Sequence, residues 1–90
     1  MSLKKRFEKD ENKDSALVKF WFTWADSDKP YTFYSRPEYD KRGFDYAVRR
    51  TIAYCINTWG NKIKDQRICV FDNRTGREEA VYIRGKKVAK

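Results

Sequence analysis

Four pairings of a ring with a cation mark this chain: Trp21 with Lys19, Tyr34 with Arg36, Phe71 with Arg67, and Tyr82 with Arg84. Each cation lies an even number of residues from its ring, and on a β-strand that spacing puts both on one face. Flat rings stack on unpaired bases for roughly 1–3 kcal/mol per base, and Lys and Arg neutralise phosphates. Rings and cations sharing an open sheet are therefore what a single-stranded nucleic-acid platform needs. The same residue types serve protein interfaces, where aromatic and arginine side chains are enriched.

Other chemistries have little to work with. The chain has no His, so the commonest general base is missing. Cys55 and Cys69 are too few and wrongly spaced for a zinc site, and neither has an evident base partner. The acidic pairs Asp26/Asp28, Glu38/Asp40 and Glu78/Glu79 read as solvated surface rather than as cation ligands. The glycines stand singly, with no phosphate-cradling loop, and neither an RNP-like motif nor a GxxG loop is present. The expectation is a non-enzymatic protein with no metal and no small-molecule cofactor.

The charge suits a polyanionic partner such as nucleic acid, an anionic membrane surface, or simply a soluble mixed-charge surface with a basic bias. Lys and Arg number 21 against 13 Asp and Glu, a formal net charge of +8 on 90 residues. The excess concentrates late: residues 61–90 carry nine basic and four acidic side chains. No apolar run approaches a membrane span, and the N-terminus is charged without an apolar signal region. A soluble protein of the reducing cytoplasm, not bound to a membrane, is the corresponding expectation.

The elements that must position these side chains follow from periodicity. Leu17–Ala25 alternates strictly, with Val18, Phe20, Phe22 and Trp24 on one side and Lys19, Trp21 and Thr23 on the other. Asp26–Pro30 is a turn, so Tyr31–Arg36 should pair back as a second strand with Tyr31 and Phe33 facing the core. Ser35-Arg36-Pro37-Glu38 fits a capping pattern and opens a helical turn. From about Gly43 to Thr58, a helix is predicted whose amphipathic stripe is Phe44, Val48, Thr51, Ile52, Cys55, Ile56 and Trp59, with Gly60 placed to end it. Arg67–Asp72 and Glu78–Arg84 form a second hairpin across a loop ending at Gly76. Residues 1–14 read as a charged N-terminal arm, 15–85 as a single domain, and 86–90 as a basic tail.

The predicted architecture is α+β, in the order β-β-α-β-β: a four-stranded, mainly antiparallel sheet with one helix on one face. By alternation Ile68, Val70, Val81 and Ile83 join the core, and Cys69 points away from Cys55, which argues against a disulfide. The other face then collects Lys19, Trp21, Tyr34 and Arg36 from the first hairpin. Arg67, Phe71, Tyr82 and Arg84 come from the second, with Lys86 and Lys87 in the tail beside them. A one-residue slip in the fourth strand exchanges Tyr82 for Val81 and Ile83. Two functions fit this face: binding of single-stranded RNA or DNA with little sequence preference, or self-association as a homodimer or subunit. Arg49 and Arg50, with Tyr46 and Tyr54, stand on the outward side of the helix, either as a solvated face or as a second phosphate-contacting stripe.

Overall fold

A computed structural model describes residues 15–89, so the N-terminal arm lies outside the described residues. Strands β1 (Val18–Thr23) and β2 (Pro30–Tyr34) precede a short helix α1 (Pro37–Asp40) and the main helix α2 (Phe44–Thr58). Two 3-10 turns then lead into β3 (Arg67–Asp72), β4 (Glu78–Ile83) and β5 (Lys86–Ala89). The strands form one antiparallel sheet in the order β2-β1-β3-β4-β5. The predicted α+β architecture with one main helix is observed, and the sheet has five strands where four were expected.

β1 lies between β2 and β3, and its alternation is expressed in full: Val18, Phe20 and Phe22 are buried while Trp21 between them is exposed. Their inner side is covered by Ala47, Val48, Ile52 and Cys55 of α2, and Ile63 closes the end of the layer beside Trp24. Burying each large apolar side chain contributes roughly 1.5–3 kcal/mol, so this sheet–helix layer carries most of the fold. Gly43 separates the two helices with φ of 103°, a conformation open to glycine and strained for any other residue.

Ser35 does not cap α1. It is fully buried, its backbone N–H donates to the Val18 carbonyl at 3.1 Å, and its Oγ accepts from the Val18 N–H at 3.2 Å. The hydroxyl donates in turn to Asp40 Oδ1 at 2.6 Å, and Asp40 Oδ2 accepts from the Leu17 N–H at 3.2 Å. One hydroxyl and one carboxylate thus tie the start of β1, the end of β2 and α1 into a single corner. The S-x-x-E spacing predicts a cap; the buried edge of the sheet claims the serine instead.

The fourth strand corrects the sequence reading. Val70 pairs with Ala80 and Ile68 with Tyr82, so Ala80 and Tyr82 face the helix while Val81 and Ile83 face away. The cause is a bulge between Val70 and Phe71, where Phe71 pairs with Glu78 and Glu79 is the extra residue. Regular pairing would have set Glu79 opposite Val70, beneath the helix, where an unpaired carboxylate is costly. The bulge leaves Glu79 exposed and reverses the parity of everything after it.

The expected basic tail is also corrected. Arg84 and Gly85 have φ of 53° and 83°, and positive values at both centres of a two-residue loop reverse the chain tightly. Ile83 then pairs with Lys86 and Tyr82 with Lys87, so the last described residues add a strand to the sheet. Gly85 ends one strand as expected but starts a hairpin rather than an exit.

Replacing Ser35 with Ala leaves the buried Val18 N–H without its side-chain acceptor, and the loss should be about 1–3 kcal/mol. Urea denaturation checks this, and an unchanged midpoint would reject the corner as a source of stability.

Candidate nucleic-acid interface

The side of the sheet turned away from α2 is a lattice of paired side chains. In one row Tyr34 pairs with Lys19, and Lys19 with Phe71. In the next, Thr32 pairs with Trp21, Trp21 with Cys69, and Cys69 with Val81. A third row joins Arg67, Ile83 and Lys86. The Lys19 ammonium lies 5.2 Å from the centroid of the Phe71 ring, so the cation is held over an aromatic surface. Trp21 stands in the middle at 37% exposure, whereas Cys69 and Val81 are nearly covered by their neighbours.

Of the residues expected on this face, the structure brings together Lys19, Trp21, Tyr34, Arg67 and Phe71, with Lys86 added from β5. Four do not join them. Tyr82 packs against the core beside Ile52 and Ile56, on the helix side, because of the bulge. Arg36 lies beyond the end of β2, where the chain turns into α1, and its guanidinium sits 5.2 Å over the Tyr54 ring of α2. Arg84 occupies the β4–β5 turn, its N–H donating to the Gln66 carbonyl at 3.0 Å. Lys87 pairs with Tyr82 and therefore belongs to the helix side. Val81 and Ile83 take their places, making the centre of the face more apolar. The signal for this was Glu79, whose parity under regular pairing was untenable.

Both thiols are buried. Cys55 and Cys69 are both free, one beneath the helix and the other on the opposite side of the sheet. Burial pushes the Cys55 thiol up from an ordinary 9.0 to about 12. Burial also raises the Cys69 thiol, with Arg67 acting against the shift and Glu78 adding to it. A thiol held protonated is a poor nucleophile. The displaced carboxyl of Asp72 belongs to a surface pair, held below its ordinary range by Arg74. No group of three or more His, Cys, Asp or Glu able to hold a metal occurs among the described residues. Nor is any described helix long and apolar enough to cross a membrane.

On the helix side the residues expected to face the core gather into an aromatic cluster around Trp59. Trp59 lies 5.6–5.9 Å, centroid to centroid, from Phe22, Trp24, Tyr31, Phe33 and Tyr54. Four of these rings, Tyr31, Phe33, Tyr54 and Trp59, line a groove of about 440 Å³ at the β2 edge together with Tyr34, Arg36, Pro37 and Glu38. Further along, Arg50 lies over Tyr39, and Arg42 and Arg49 lie over Tyr46. Arg49, Arg50, Tyr46 and Tyr54 were legible as an outward helix face; Arg36, Arg42 and Tyr39 come to it only through α1.

Comparison with protein-family models, curated proteins and solved structures found no match.

If Tyr82 lies beneath the helix and Trp21 in solvent, Tyr82→Ala should cost about 1–3 kcal/mol and Trp21→Ala less than about 1 kcal/mol. Denaturant midpoints of the two variants check this, and the reverse order would refute the parity of β4. The thiol buried under α2 gives a pH test. Its folded pKa of about 12 exceeds the ordinary 9.0, so its contribution is intact below about pH 9 and is lost as pH climbs toward 12. The stability gap between the native chain and Cys55→Ala should shrink over that range, by up to about 1.4 kcal/mol per pH unit. A gap independent of pH, measured by chemical denaturation, would contradict it.

Proposed function

We propose that this chain is a small non-enzymatic protein that binds single-stranded nucleic acid, with little sequence preference, on the sheet face opposite α2. The observation that supports the reading most directly is the exposed Trp21, set among Tyr34, Phe71 and the cations Lys19, Arg67 and Lys86. Trp21 offers a ring for stacking, Tyr34 and Phe71 flank the neighbouring lysine, and the cations track phosphates. Two carboxylates lie on or beside this face among the described residues: Glu78, which engages Cys69, and Asp65, which shares a surface hollow with Trp21 and Arg67. Every base has a stacking surface, so discrimination between sequences should be weak.

A second reading is favoured by a specific feature. The bulge puts Val81 and Ile83 on this face beside Trp21 and Phe71, giving it the apolar centre and polar rim of a protein interface. Stacking of the faces of two copies would bury both centres.

Titration of the full chain with oligothymidylate and oligouridylate, followed by tryptophan fluorescence and filter binding, separates the readings. Nucleic-acid binding predicts quenching, an affinity that falls steeply with salt, and a loss of about fivefold to a hundredfold in Trp21→Ala. No response to either oligonucleotide at low salt would eliminate it. Light scattering with and without nuclease reads the alternative: a dimer that survives nuclease and dissociates in Trp21→Ala supports self-association.

A further inference from the structure

The cations of the helix side form a site separate from the outer face of the sheet. Arg42, Arg49 and Arg50 are exposed and make no ion pair among the described residues. The absence is informative for Arg49, because Asp45 stands four residues before it, the spacing and order that favour a helix ion pair. Arg49 instead lies 5.7 Å from the centroid of Tyr46, and Arg42 lies 4.6 Å from the same centroid. Arg50 lies 5.6 Å from Tyr39, whose ring meets Tyr46 edge-on at 6.2 Å. Two half-buried tyrosines thus hold three guanidiniums at the corner between α1 and α2.

This arrangement has two physical consequences. A guanidinium resting on a ring is ordered through its face, which leaves its edge N–H donors free for planar, two-point contact with an oxyanion. Two cations gathered on one ring also lie within about 10 Å of each other, a Debye length at about 0.1 M salt, so they repel until an anion comes between them. We infer that the Tyr39–Arg42–Tyr46–Arg49–Arg50 corner is a second binding site, specific for the phosphodiester backbone of a nucleic acid. A backbone fits better than a single phosphate because the guanidiniums are spread over α2 and the turn before it, on two different rings, rather than converging on one point. It also fits better than bases, because both rings are already occupied by arginine. Contact at this corner is therefore made without touching a base, and it does not depend on the reading of the outer face.

The test uses the full chain carrying Arg42→Gln, Arg49→Gln and Arg50→Gln together, with folding confirmed by thermal melting. Binding of oligothymidylate should weaken about tenfold to a hundredfold near 0.1 M salt. The slope of log affinity against log salt should fall by about 2, as expected for three lost contacts to a single strand. Tyr46→Leu keeps the charge and removes the ring under Arg42 and Arg49; it should weaken binding severalfold with the slope little changed. An unaltered slope and affinity in the triple variant would overturn the site, whatever Trp21→Ala does in the same assay. Tighter binding of poly-L-glutamate than of oligothymidylate at matched salt would overturn it as well, assigning the corner to an acidic protein. Loss in the triple variant with none in Trp21→Ala would keep this site and remove the outer-face reading.

Discussion

A single carboxylate decides which side chains the open face displays. α2 is long enough to cover one side of the sheet, and a carboxylate beneath it would be costly unless paired. Glu79 meets that constraint head on, because the tight loop after Asp72 would register it against Val70 in the core. The strand yields by one residue, Glu79 goes to solvent, and Ala80 and Tyr82 turn inward in place of Val81 and Ile83. The composition of the face is thus set at a position that is not on it. Trp21 and Phe71 keep their places because β1 and β3 pair without interruption from Val18 to Trp21.

That dependence explains how much could be read from the residues alone. β1 was fully legible, since four apolar residues alternate with polar or aromatic ones and only one parity puts Val18, Phe20 and Phe22 together. The α2 stripe was equally plain, and Gly60 follows its end with φ of 40°. β4 was not, because Val81 and Ile83 are the residues that hydropathy alone sends inward; the opposing term was the cost of burying Glu79, which appears only once the hairpin register is worked through. β5 escaped notice because Lys-Lys-Val-Ala carries almost no strand signal of its own and is held by the turn before it. Arg36 was read as a continuation of β2, but Pro37 starts a helix and carries its neighbour to the other side of the molecule.

Arginines and rings are handled differently on the two sides. Over the sheet, Trp21 is exposed and its cations stand beside it. Over the helices, tyrosines are half-buried and their arginines lie on top of them. The first pattern leaves a ring available; the second leaves donors available. Trp59 links the helix side to the core by gathering rings from β1, β2 and α2, while the Ser35–Asp40 pair fixes the path by which α1 brings Tyr39 and Arg42 to the corner.

The two rims of the sheet are unlike, and this bears on how copies of the chain can polymerise. β5 is four residues long, bears adjacent lysines and is kinked against its neighbour. Another strand docking there would meet like charges and a broken hydrogen-bond ladder. β2 opens with Pro30, which has no amide hydrogen to donate, and its sequel is buried at Ser35. Addition of a further strand is therefore disfavoured at the β5 rim by its lysines and at the start of β2 by the proline.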